Sequence, residues 1–142
     1  MLIGTILRAK GSDVTTVTPE ATVRELLDKL ASRNIGAVVV SSDGVTIRGI
    51  VSERDVVRRL CDRGAALLDA PVSEIMTTEV HTVEPGENVD SLRQTMTTQR
   101  FRHMPVVEDG RLVGIVSIGD VVKSTIEELE TEKASLVDYL HR

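Results

Sequence analysis

The chain is written twice. The nine-residue pattern Gly-Ile-Val-Ser-x-x-Asp-Val-Val occupies Gly49 to Val57 and recurs at Gly114 to Val122. Upstream, Thr16-Val17-Thr18-Pro19 aligns with Thr82-Val83-Glu84-Pro85 at an offset of 66. The register holds through Val23 and Val89, Leu26 and Leu92, Leu30 and Met96, and Asp43-Gly44 and Asp109-Gly110. One residue is then lost, since Gly49 aligns with Gly114 at an offset of 65. A single deletion at a turn fits a structural repeat, because loops absorb length changes that packed elements do not.

Each copy reads as β-α-β-β-α. An extended piece ends at Pro19 or Pro85, and a helix is expected from about 22 to 33 and from about 88 to 99. Thr22 with Glu25 forms a capping box, and Val23, Leu26, Leu27 and Leu30 lie on one helical stripe. The runs Ala37-Val38-Val39-Val40 and Met104-Pro105-Val106-Val107 are strands, and Asp-Gly at 43-44 and 109-110 marks hairpin turns. A second strand then passes directly into a helix. The expected class is α+β, with two units in pseudo-two-fold symmetry meeting across a shared groove. The division is 8–64 for the first unit, 65–78 for a connector, 79–127 for the second unit and 128–142 for a helical extension. Val72, Ile75 and Met76 after Pro71 suggest a short helical turn of the connector laid onto the second unit. The final helix is expected from about Ile118 to Leu140. Along it Val122, Ile126, Leu129, Leu136 and Leu140 follow a heptad seam that only Lys133 interrupts, suited to its own domain or to a homodimer contact.

Composition excludes several classes. The 142 residues carry a net charge of -5 with the two signs interleaved, which does not favour nucleic acid. Phe101 and Tyr139 are the only aromatic residues of the Phe, Trp and Tyr class, too few for base-stacking platforms. Met1 to Leu7 is too short for a signal-peptide core, and no run approaches the roughly 20 apolar residues of a membrane span. A soluble, cytoplasmic protein is expected, and the lone Cys61 suits a reducing compartment. Neither a Gly-x-Gly-x-x-Gly nor a Walker-type loop occurs. His81, His103 and His141 show no metal-ligand spacing with one another or with Cys61, so no metal site is expected. No nucleophile with a base is evident in the sequence, and the chain is expected not to be an enzyme.

Two readings of the repeated Ser-x-x-Asp stand side by side. Ser52 to Asp55 and Ser117 to Asp120 suit a helix capping box. The same placement suits a sugar-phosphate site, with a carboxylate for two ribose hydroxyls beside a helix N-terminus.

Taken with Thr-Val-x-Pro and His103-Met104-Pro105-Val106-Val107, the repeat resembles the CBS-domain pair, or Bateman module, over roughly residues 10 to 127. It looks like the stand-alone two-CBS proteins of bacteria and plant organelles, which carry no enzyme domain. The resemblance implies a regulatory, energy-sensing module that binds an adenosine-containing ligand such as AMP, ADP, ATP or NAD(H) between the repeats. AMP stands foremost, as a regulatory ligand and not a required cofactor. By position, Asp55 and Asp120 would hold the ribose, with Ser52 and Ser117 near ribose or phosphate. Thr16 and Val17, or Thr82 and Val83, would line the adenine, closed by Val38 or Met104. A homodimer and a regulated protein partner of unidentified kind are also implied. The rival readings are a structural dimerisation protein without ligand and, behind it, a small nucleotide hydrolase.

The copies are unequal. Where the second has Arg102, His103 and Pro105, the first has Gly36, Ala37 and Val39, while Arg54 and Arg58 in the first face Gly119 and Lys123 in the second. Arginine offers a fork that suits phosphate. Arg102 and His103 therefore make the Asp120 copy the expected tighter binder.

Overall fold

The structure is a computed structural model that describes residues 1–11 and 13–142. The fold is α+β. In order it contains α1 (Ile3–Lys10), β1 (Thr16–Val17), α2 (Val23–Arg33), β2 (Ala37–Val40), β3 (Gly49–Ser52) and α3 (Glu53–Arg63). Two short 3-10 turns follow, at Gly64–Asp69 and Val72–Glu74, and then α4 (Val89–Gln99), β4 (His103–Glu108), β5 (Arg111–Ser117) and α5 (Ile118–Leu140).

The first repeat has the expected order. β1 runs parallel to β2, and β2 pairs antiparallel with β3 in the register Val38 to Val51. In the second repeat β4 and β5 form the antiparallel pair, and the counterpart of β1 shrinks to one parallel bridge from Val83 to Val106. Asp109 and Gly110 take φ values of 53 and 75 degrees in the tight turn from β4 to β5, as the Asp-Gly signal predicts. Asp43-Gly44 does otherwise. It sits inside a longer loop between β2 and β3, where the Asp43 carboxylate accepts from Val45 N, Thr46 N, Thr46 Oγ1 and Ser41 Oγ. These donors hold the Asp43 carboxyl far below the usual carboxylate range.

Each repeat encloses its own core. Val17, Val23, Leu26, Leu30, Val38, Val40, Val51 and Val56 pack together in the first, and Val83, Val89, Leu92, Met96, Met104, Val106, Val116 and Val121 in the second. Neither core closes with its own repeat alone. Leu67, Ala70, Val72 and Ile75 of the connector complete the first core. Val72 N donates to Ala21 O and Val23 N to Ala70 O. The connector thus lies on the first unit and not, as its apolar spacing suggested, on the second. Its place there is taken by α1, whose Ile3, Ile6 and Leu7 are buried in the second core. Ile3 N donates to Glu87 O and Gly4 N to Pro85 O. The segment ahead of each repeat therefore serves the other one.

The glycine that opens the repeated motif has its reason here. A Cβ on Gly49 would lie 2.8 Å from Met76 Sδ and 2.9 Å from Thr77 O, and one on Gly114 would lie 2.6 Å from Leu7 Cδ2. Both positions need a missing side chain because an exchanged segment crosses directly over them.

α5 is 23 residues long, about 35 Å. Val121 and Ser124 are buried, and every residue from Ile126 onward is exposed. The seam of Val122, Ile126, Leu129, Leu136 and Leu140 therefore does not pack on its own domain. Among the described residues no helix is long and apolar enough to cross a membrane.

Candidate functional site

Both Ser-x-x-Asp motifs sit where a strand hands over to a helix, and both are full capping boxes. Ser52 N donates to Asp55 Oδ2 at 2.8 Å, Ser52 Oγ donates to the same oxygen at 3.1 Å, and Asp55 N donates to Ser52 Oγ at 3.4 Å. In the second copy Ser117 N donates to Asp120 Oδ2 at 2.9 Å and Asp120 N to Ser117 Oγ at 3.1 Å. Capping uses one carboxylate oxygen in each case. It leaves Oδ1 of either aspartate without a hydrogen bond among the described residues.

The surroundings of the two aspartates differ. Asp55 lines a groove of about 230 Å³ between the repeats. Ser52, Arg54, Asp55 and Arg58 enter it from the β3–α3 junction, and Ala37, Ile50 and Val51 from the sheet behind. The opposite wall comes from the second repeat: Arg100, Phe101 and Arg102 from the turn between α4 and β4, and His103 and Pro105 from β4. Thr77, Glu79, Val80 and His81 close one end. The rings of His81 and Phe101 lie 4.7 Å apart at an interplanar angle of 35 degrees.

Charge in this groove is one-sided. Arg54, Arg58, Arg100 and Arg102 face Asp55 and Glu79, and none of the four arginines is in an ion pair with a described acidic residue. Such a concentration in a chain of net charge -5 makes the local potential positive against the sign of the whole. Arg100 is held there at φ 60 degrees, a left-handed conformation that an arginine adopts only at a cost. His103 is half-buried, and burial, with the Lys10 ammonium nearby, pushes its imidazole below the ordinary histidine value.

Asp120 stands elsewhere, beside a smaller hollow of about 190 Å³ that Met1, Ile6, Lys10, Lys123 and Ser124 help to line. Lys10 Nζ lies 2.6 Å from Asp120 Oδ2 and donates also to Ile115 O at 2.9 Å. Burial alone would raise the Asp120 carboxyl, but the lysine and the Ser117 amide outweigh it and hold it below its usual value.

Of the residues singled out in sequence, Ser52, Arg54, Asp55, Arg58, Arg102, His103 and Pro105 come together in the groove. Ser117 and Asp120 are outside it, as are Thr16 and Thr82. Val17, Val38, Val83 and Met104 are buried in the two cores, so their side chains form no wall of this groove. Arg102 and His103, read as phosphate ligands of the Asp120 copy, line the groove of Asp55. Residues missed in sequence are Ala37, Ile50 and Val51, read only as strand residues, Thr77, Glu79, Val80 and His81, assigned to connector or strand start, and Arg100 and Phe101, which follow a helix end. The doubled cation in Arg100 and Arg102 was the signal available for the last pair.

Residues 9–62 and 72–127 each match the family model of the CBS domain. A CBS-domain-containing protein from Agrobacterium tumefaciens, ATU1752, has 44% sequence identity and a TM-score of 0.85, covering 88% of this chain and 99% of that one. The mitochondrial CBS domain-containing protein CBSX3 of Arabidopsis thaliana is 34% identical, over 97% of this chain and 71% of the relative. The CBS domain pair of protein MJ0100, solved in complex with 5'-methylthioadenosine and S-adenosyl-L-methionine, has 25% identity and a TM-score of 0.79, covering 90% of this chain and 98% of that one.

Proposed function

The chain belongs to the CBS-domain family and carries two copies of the domain, and from that premise we propose that it is a non-catalytic regulatory module binding an adenosine-containing ligand in the groove of Asp55. The observation that carries this reading is the convergence of Asp55 with four unpaired arginines and two histidines in one cleft. The bound adenosine compounds of MJ0100 support adenosine as the common element. In this reading the Asp55 carboxylate accepts from the ribose hydroxyls, Ala37, Ile50 and Pro105 contact the base, and the arginines take the phosphates. Four guanidinium groups exceed what one phosphate can use, which ranks ADP, ATP and a dinucleotide ahead of AMP. A ligand that touches both repeats favours whichever relative arrangement lets both walls reach it, and its regulatory effect equals its differential affinity for the arrangements.

A thermal-shift series with AMP, ADP, ATP, NAD, NADH and S-adenosylmethionine tests this. A ligand at a hundred times its dissociation constant adds about 2.7 kcal/mol to stability. One further charge-assisted contact contributes about 1.5 kcal/mol or more, so ATP is expected to bind at least about tenfold tighter than AMP. Asp55→Ala should remove the shift. No shift with any compound would leave the capping boxes as helix ends only and favour the structural rival.

The module works as a homodimer in this proposal. Ile118, Val122, Ile126 and Leu129 form an exposed apolar row on α5, which a second copy would cover; Val57 and Leu60 on α3 are exposed as well. A reducing compartment, the cytoplasm, suits the free and exposed Cys61, and cell fractionation tests that placement.

A further inference from the structure

We propose that Lys10 is a built-in occupant of the second copy of the site, so that duplication supplies two sites and the chain uses one. The proposal rests on the reading of the Asp55 groove given above, and it concerns how many ligands the chain takes.

Equivalent positions in the two copies show the difference. By sequence offset, Lys10 matches Met76 and Gly11 matches Thr77 at 66, and Ile115 matches Ile50 and Asp120 matches Asp55 at 65, although in space it is Leu7 that covers Gly114 as Met76 covers Gly49. In the first copy Ile50 N donates to Thr77 O and Thr77 N to Ile50 O, both at 2.9 Å, so the crossing segment is fastened by backbone alone. The uncharged Met76 packs over Gly49, and among the described residues no cation is in an ion pair with Asp55. In the second copy a side chain does the fastening: the Lys10 ammonium donates to Ile115 O and lies 2.6 Å from Asp120 Oδ2.

A ribose reaching for Asp120 would meet that ammonium on Oδ2 and would have only Oδ1 left to it. Its hydroxyls would also make charge-assisted bonds to the carboxylate, but as neutral donors they bring no charge to match the ammonium already there. The backbone of Lys10 is fixed beside Asp120, because it lies in the last turn of α1, whose Ile3, Ile6 and Leu7 are buried in the second core. The second copy is also poorer in guanidinium groups for phosphate, with Lys10 and Lys123 as the cations beside Asp120. Gly119 and Lys123 stand where the first has Arg54 and Arg58, and Asn34 and Gly36 where the groove wall has Arg100 and Arg102.

Titration calorimetry of the full chain with ATP tests the proposal. The unaltered protein is expected to bind one ATP per chain. Lys10→Met, which installs the residue of the equivalent position, is expected to bind two, and adding Asp120→Ala to it should return the value to one. Lys10→Gln, which keeps a polar group of similar length, should also bind two and guards against a folding defect peculiar to Met, with circular dichroism as the check. Two ligands on the unaltered protein, or one on both Lys10 variants, would overturn the role of Lys10 while leaving the Asp55 groove standing. A chain that binds nothing until Lys10 is replaced, and then binds one, would support the role of Lys10 and reject the Asp55 groove. No binding by any form would overturn both.

Discussion

Arg100 and Asn34 occupy equivalent helix ends and carry opposite lessons about strain. Asn34 ends α2 at φ 52 degrees, which its short polar side chain tolerates, whereas Arg100 ends α4 at φ 60 degrees and faces the groove. Holding a long side chain there costs about 1 kcal/mol. Arg100→Asn is therefore expected to raise the unfolding free energy in urea by up to about 1 kcal/mol while weakening ATP binding in the same preparation. The pair of Lys10 and Asp120 gives a second residue-level test, through pH. The folded carboxyl of Asp120 lies below its ordinary value of 3.8. A depressed carboxylate adds stability above the unfolded value and loses it as pH falls through the folded one. Both side chains are partly open to solvent, so the contribution is below about 1 kcal/mol. The stability gap between the unaltered protein and Asp120→Asn should be present at pH 7 and close in acid below pH 3.8.

At the scale of elements, the exchanged segments decide what each repeat needs. Ile3 is fully buried, and Ile3→Ala on α1 is expected to cost about 2–5 kcal/mol of stability by leaving a cavity in the second core, far from its position in sequence. Gly49→Ala should cost about 1–3 kcal/mol, and more than Gly114→Ala. Its added carbon meets the backbone oxygen of Thr77, whereas Gly114 faces the movable end of Leu7. The elements themselves were legible because their signals are local: the capping box at Thr22, the Asp-Gly turn at 109-110, and the periodic stripes of α2 and α4. What no local signal carries is an address. Met1 to Leu7 and Val72 to Met76 declare themselves apolar without saying which sheet they cover. The groove divided in the same way, since Ser52 to Arg58 was readable from one motif, while His81 and Arg100 belong to it only through tertiary folding. The buried state of Val17, Val38, Val83 and Met104 has the same cause, for an apolar strand residue looks identical whether it faces a core or a ligand.

The whole molecule is a pair of units joined reciprocally, with a long last helix that packs on the second unit through Val121 and Ser124 and is exposed from Ile126 onward. If a second copy covers that helix, light scattering should report a dimer and the melting temperature should rise with protein concentration. Ile126→Glu combined with Leu129→Glu should give a monomer that keeps both cores, since both residues are exposed within the chain. The reciprocal joining also sets an order on biosynthesis. The first core can close once the connector through Ile75 has emerged, but α1, made ahead of both repeats, waits for Val121 before its own core exists. At about 5–20 residues per second that interval is on the order of ten seconds. Through it Ile3, Ile6 and Leu7 stay unburied on a nascent chain, a natural point of capture for a chaperone at the ribosome exit.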